Sequence, residues 1–323
     1  MPNQGAARSS LRARDKGHPG RTASDTEVSC PPTSQCPGGP QLLNVTFYGV
    51  RGSTPCPCEA NLRYGGNTAC VALESPGSDP IVLDLGTGLR YWGDTLPTDG
   101  SFRGSALITH LHWDHVQGLP FFVPADRPGA KFDIYGPVQP DGLGLEQAFE
   151  DFMRPPYFPV RFTDLRGDIR FHDVSDSDIV IGDAKVRVRT VPHVGITNGY
   201  RIEMGGAIVA YISDHQQPMD GGMDVPDHVV ELCDGADLLI HDAQYTPDEF
   251  AEKRHWGHCT VEYAVEVASK SSVKTLCLFH HDPSHGDDAV DGMLDRALAA
   301  RNGSGRPLEI VAAAEGLAVS LGG

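Results

Sequence analysis

Thr109-His110-Leu111-His112-Trp113-Asp114-His115 is the stretch from which the rest of the chain can be read. It sets three histidines and a carboxylate within six positions, directly after the apolar run Ala106-Leu107-Ile108. A strand that ends in such a turn can aim imidazoles and a carboxylate at one point. Neutral imidazole and carboxylate are good ligands for zinc and its neighbours. A structural zinc site closes four ligands and is usually rich in cysteine, and this cluster contains none. It also holds too many ligands for one ion. The economical reading is two ions sharing one site, with His110 and His112 on one and Asp114 and His115 on the other. Chance clustering is a poor explanation, because the whole chain of 323 residues has only 14 histidines.

Working outward, several other apolar runs close on polar residues. Ile81-Val82-Leu83 ends at Asp84, which either orients a metal-bound histidine or caps the segment starting near Leu89. Ile169-Arg170-Phe171-His172 and Val186 to Val191 alternate apolar and charged residues, as half-buried antiparallel strands do. The second leads to Pro192-His193, where a histidine leaving a strand just before Gly195 suits a third ligand to the first ion. His172 reads as a surface histidine. Ile208 to Ile212 delivers Ser213-Asp214-His215. Asp214 has two oxygens and suits a bridging position, while His215 would point elsewhere. Leu238-Leu239-Ile240 leads into His241-Asp242, and Thr275 to Phe279 leads into His280-His281. Helical patterns run over Leu145–Met153, from Pro247 behind a Thr246 cap, over Val261–Lys270 and over Gly286–Arg301. Two loops stand out. Arg51-Gly52-Ser53-Thr54-Pro55 with Arg63 to Thr68 is glycine-rich and either approaches a ligand or simply connects strands. Arg154-Pro155-Pro156-Tyr157-Phe158-Pro159-Val160-Arg161 cannot be regular helix. Its arginines bracket aromatics, a composition that suits gripping a base and a phosphate or wrapping the core.

Composition bounds the rest. Residues 1–40 have almost no large apolar side chain and read as a disordered tail, leaving one domain over 41–323. No apolar run is long enough to span a membrane, and the N-terminal stretch lacks the apolar core of a secretory signal, so a cytoplasmic protein is expected. The 8 cysteines form no zinc or redox motif. The net charge of −17 repels nucleic acid at long range. It leaves open a small anion held by metal ions, whose local charge dominates such a site.

Taken in order, Asp84, His110-x-His112-x-Asp114-His115, His193, Asp214 and His280 resemble the ligand series of the metallo-β-lactamase superfamily, over about Leu42 to the C-terminus. Gly257-His258-Cys259-Thr260 resembles the G-H-S-T element of its phosphodiesterase branch, with Cys in place of Ser. Ile240-His241-Asp242 resembles the H-E element before it, with Asp in place of Glu. That branch includes ribonuclease Z, phosphoribosyl cyclic phosphodiesterase and cyclic nucleotide phosphodiesterases. The resemblance implies an α/β fold, a four-layer αβ/βα sandwich with two zinc ions at its edge; manganese or iron could occupy the same ligands. It implies that His110, His112, His193 and Asp214 hold the first ion. Asp114, His115, Asp214 and His280 hold the second. His258 would be the acid that protonates the leaving group, held by Asp242, and Asp114 would also steer the attacking water. The expected substrate is a small cyclic nucleotide or cyclic phosphate, the alternative is tRNA 3′-end endonuclease activity, and a homodimer is compatible with either. Against the alternative, the tRNA-processing family carries a long glycine- and basic-rich arm, whereas here the stretch between Asp214 and His280 is short on basic residues and the insert before His193 is a Pro/aromatic loop. Hydrolysis of a thioester or lactam would not need His258, and a metal-loaded sensor would show no turnover.

Overall fold

The computed structural model describes residues 42–139, 142–301 and 307–322, so the tail expected over residues 1–40 lies outside the described residues. The first strand, β1 (Leu43–Gly49), alternates buried and half-buried positions, which is the period of a strand with one face in a core. It is followed by β2 (Cys70–Glu74), β3 (Ile81–Leu83), α1 (Leu89–Gly93), β4 (Arg103–Leu107), α2 (Trp113–Val116), β5 (Lys131–Gly136), α3 (Leu145–Phe152) and β6 (Asp168–Asp173). The second half runs through β7 (Asp178–Ile181), β8 (Ala184–Thr190), β9 (Asn198–Met204), β10 (Ala207–Ile212), α4 (Asp227–Cys233) and β11 (Leu238–Asp242). It continues with α5 (Pro247–Lys253), α6 (Val261–Lys270), β12 (Thr275–Phe279), α7 (Asp287–Arg301), β13 (Glu309–Ala312) and β14 (Ala318–Leu321).

These strands form two seven-stranded sheets, in the orders β14-β1-β2-β3-β4-β5-β6 and β13-β12-β11-β10-β9-β8-β7. Each sheet is part antiparallel and part parallel. In the first, β3 to β6 run parallel. In the second, β10 to β13 do. The inner faces meet in one core, where Val45, Phe47 and Leu83 join Val188, Tyr211 and Phe279. Each fully buried Val, Leu or Phe there contributes about 1.5–3 kcal/mol. The outer face of the first sheet is covered by residues of α1, α2 and α3, around Trp92, Val116 and Phe149. The outer face of the second is covered by α4, α6 and α7, around Val229, Ala264 and Met293. This is the four-layer arrangement expected.

One strand reading needs correction. β6 was expected to pair antiparallel, and it pairs parallel with β5, from Lys131↔Asp168 to Gly136↔Asp173. It is the edge strand of its sheet, so its alternation reports one-sided burial and not the direction of its partner. The short strands β7 and β14 and helix α4 carry patterns too brief to be read in advance. Among the described residues, no helix is long and apolar enough to cross a membrane.

Candidate metal centre

The carboxyl ends of parallel strands open toward one edge of the sandwich, the usual place for ligands in α/β sheets. β3 delivers Asp84, and β4 delivers the segment that turns into α2, where Asp114 and His115 lie in one short helix. β10 delivers Asp214, β11 ends at Asp242 and β12 delivers His280. His193 arrives from the end of β8. Three non-glycine residues here hold left-handed backbone, Ser53, Asp84 and His280, with φ of 62, 58 and 59°. Such conformations cost of order 1–3 kcal/mol and persist where surrounding structure enforces them, often at functional sites.

The ligand atoms converge. His110, His112 and His193 form one group, and Asp114, His115 and His280 form another; Asp214 joins His110 and His115 between them. Asp214 Oδ1 lies 3.2 Å from His115 Nε2. Its Oδ2 lies 3.5 Å from His280 Nε2, 3.7 Å from His193 Nε2 and 3.9 Å from His110 Nε2. Asp114 Oδ2 lies 3.1 Å from both His115 Nε2 and His280 Nε2.

Most rings have their other nitrogen occupied. His115 Nδ1–H donates to Asp84 Oδ2 at 2.8 Å. Tyr211 O–H donates to the same oxygen at 2.7 Å, and Thr109 N–H donates to Oδ1 at 2.8 Å. Asp84 is therefore the partner of a histidine, while α1 is capped by Gly88 without side-chain help. His193 Nδ1–H donates to Gly257 O at 2.7 Å, and His280 Nδ1 lies 3.1 Å from Gln244 Oε1. His258 Nδ1–H donates to Asp242 Oδ2 at 2.9 Å. Partners of this kind fix ring orientation and leave Nε2 for a metal or a substrate.

The glycine-rich loop belongs to the site. Ser53 N–H donates to Asp114 Oδ2 at 2.7 Å, and a Cβ on Gly52 would come within 2.4 Å of the His280 ring. Gly257, at φ +97°, likewise leaves no room beside His193, where a Cβ would meet Nδ1 at 2.4 Å. Ser53, Gln244, Thr109 and Tyr211 were not singled out from sequence. Thr109 and Ser53 lie in stretches that stand out in the sequence but were given no role of their own there. The histidines expected to face elsewhere do so. His215 Nδ1 lies 2.9 Å from His241 Nε2, His281 Nε2 pairs with Ala313 O at 2.9 Å, and His172 pairs with Asp133 near the surface.

The residues fit a pair of divalent cations. The Nε2 atoms of His110 and His115 are buried without a hydrogen-bond partner, which is costly unless something else occupies them. Burial, with His115 adding to it, holds His110 well below the usual histidine range. Burial lowers His112 and His193 as well, which favours the neutral ring, the form that binds metal. At His115 and His280 burial also acts downward, but carboxylates overcome it and raise both, Asp114 chiefly at His115 and Asp214 chiefly at His280. Burial works against ionising Asp114 and Asp214, yet the imidazoles keep both well below the usual carboxylate range. The pocket thus favours positive charge between the carboxylates. A cleft of about 670 Å³ opens above it, lined among others by Ser53, Trp113, Trp256 and His258.

A family profile described as "Beta-lactamase superfamily domain" matches residues 104–281. Among curated relatives, a ribonuclease Z of Natronomonas pharaonis is 26% identical over 306 residues, covering 77% of this chain and 94% of its own. Among solved structures, the metallo-β-lactamase fold protein YhfI from Bacillus subtilis superposes with a TM-score of 0.66 at 18% identity, covering 87% of this chain and 100% of its own. The short form of human tRNase Z gives 0.60 at 22% identity, covering 85% and 98%. At these identities the structural likeness is one of fold.

Proposed function

The chain is a metal-dependent hydrolase of the metallo-β-lactamase superfamily, and from that premise we propose that it cleaves phosphodiester bonds. The observation that carries this reading is the Asp242–His258 pair. It stands beside the metal cluster, with His258 Nδ1 2.9 Å from Asp242 and 3.8 Å from the bridging candidate Asp214. Hydrolysis of a thioester, whose thiolate leaves as a stable anion, has little use for such an acid. An alkoxide leaving a phosphorus centre needs a proton.

We assign His110, His112, His193 and Asp214 to one zinc and Asp114, His115, Asp214 and His280 to a second. When bound, such ions supply an activated water near neutral pH and offset charge on phosphoryl oxygens. The chain's own residues do the rest. Asp84 orients His115, and Gly257 O and Gln244 orient His193 and His280. Asp114, held by Ser53 N–H, steers the attacking water. Asp242 holds His258 so that Nε2 presents a proton to the departing oxygen.

For substrate, the ribonuclease Z relatives favour endonucleolytic cleavage at a tRNA 3′ end over the small cyclic phosphodiester expected from sequence. The small substrate keeps two observations in its favour, the net charge of −17 and the scarcity of basic residues between Asp214 and His280. The deciding experiment gives the purified protein a precursor tRNA with a 3′ trailer and a panel of cyclic nucleotides. Trailer release with idle cyclic nucleotides supports the endonuclease, the reverse supports the small-molecule enzyme, and no turnover of any diester overturns both.

A further inference from the structure

Beside the metal cleft lies a second cavity, of about 500 Å³, lined by Trp113, Gln117, Phe121, Asp151, Tyr157 and Phe158 among others. Trp113 lines both spaces and sits between His112 and Asp114 in the chain. The proline-broken segment after α3 closes the cavity from the other side. Phe158 meets Phe121 edge-on, with ring centres 5.8 Å apart and planes at 87°. Arg154 holds its guanidinium 5.9 Å from the Tyr157 ring and its Nε 3.3 Å from Asp151. Trp113, Tyr157 and Phe121 are 74, 74 and 57% exposed, so three large aromatic faces are left to solvent in one place. Contiguous exposed apolar surface of this kind marks binding sites.

We propose that this cavity is a nucleobase subsite, taking the base of a nucleotide whose phosphodiester lies in the metal cleft. The inference deepens the phosphodiesterase reading and rests on it. Three observations choose a base over other occupants. The shared wall at Trp113 sets this cavity beside the metal cleft, so a base here and a phosphate there can belong to one nucleotide. The lining offers π faces, which stack on any base. Gln117 brings an amide that both donates and accepts, and Asp151 brings an acceptor, which suit a base edge. The volume lies within the range of pockets that enclose small ligands.

The test is calorimetric titration of the metal-loaded protein with adenosine 5′-monophosphate and with ribose 5-phosphate, which share the phosphate and sugar and differ in the base. The nucleotide is expected to bind about 5–150-fold more tightly, the range of one stacked base. Tyr157→Ala should remove most of that preference and Tyr157→Phe should retain it, because stacking needs the ring and not the hydroxyl. Tyr157 is exposed, so the fold is not at stake. Equal binding of the two ligands, binding of neither, or a preference that survives both Tyr157→Ala and Phe121→Ala would each overturn the subsite. The phosphodiesterase reading fails separately. If the preference holds and no diester is turned over, including thymidine 5′-(p-nitrophenyl phosphate) and methyl p-nitrophenyl phosphate, the subsite stands and the reaction assignment falls.

Discussion

On the floor of the cleft, His115, Asp214 and His280 are almost wholly buried, and each has a polar partner that fixes it. At the rim, Trp113 and Tyr157 are mostly exposed, and Trp256 is more than half exposed with Lys253 Nζ 5.8 Å from its ring. The floor is built from strand ends of both sheets and the inner side of the short helix that carries His115, and tolerates little displacement. The rim is built from a four-residue helix and loops, packed on one side only. Floor residues therefore govern reactivity toward every substrate, whereas rim residues govern which substrates gain. A floor substitution should act on all diesters alike, unless the residue serves the leaving group.

His258 is the floor residue that tests this rule, and it carries the largest expected effect. His258→Ala should slow cleavage of an alkyl phosphodiester by about 10²–10⁴-fold, the usual worth of general acid catalysis. Cleavage of bis-p-nitrophenyl phosphate should fall far less, since p-nitrophenolate leaves without help. Metal content should not change. Asp242→Asn should show a weaker version of the same split. Equal losses on both substrates would make His258 a positioning group, and loss of metal would make it a ligand.

Asp84→Asn comes next. Asparagine tolerates the left-handed backbone at this position, so the substitution removes charge and spares shape. Metal affinity should weaken by about 10–100-fold, the range for partners of metal-bound histidines. Competition with a chelator measures it, and unchanged affinity would return Asp84 to a purely structural role.

How far these roles were legible in advance depends on where each signal lay in the chain. His110, His112, Asp114 and His115 announce themselves because four ligands crowd one turn. Asp84 was visible as a costly carboxylate on an apolar strand, but choosing histidine partner over helix cap needed Tyr211 and Thr109 beside it. Ser53 acts through its backbone N–H, which leaves no mark in residue type, and Gly257 shows in the sequence as a glycine but not as the carbonyl that holds His193. The Tyr157 loop showed its composition, but not that Trp113, more than forty positions earlier, shares its cavity. The direction of β6 was misread because one-sided burial looks the same in parallel and antiparallel edges.

A smaller effect lies behind the floor, where His241 is buried against His215. Burial lowers the His241 pKa below its ordinary 6.5. The unfolded chain therefore binds the proton first as pH falls through about 6.5, and stability declines from there by up to about 1.4 kcal/mol per pH unit for one such group. Above that pH the group contributes no slope. His241→Asn should flatten part of the decline in melting temperature between pH 7 and 5, relative to the native chain. An identical slope in both proteins would show that His241 does not contribute.

The smallest effect is expected from removing residues 1–40. Their composition offers little to bury, so melting temperature should move by no more than about 2 °C, and turnover should hold. A larger drop would place the segment against the domain.

The central claim is that one buried carboxylate, Asp214, joins two metal ions that carry the reaction. Elemental analysis of protein purified without chelator, set beside Asp214→Ala, tests it most directly. Circular dichroism of both proteins establishes that the comparison is between folded chains. The account predicts close to two ions per chain in the native protein and close to none in the variant. A native value of one that added zinc does not raise, or a variant that keeps one ion, would contradict it.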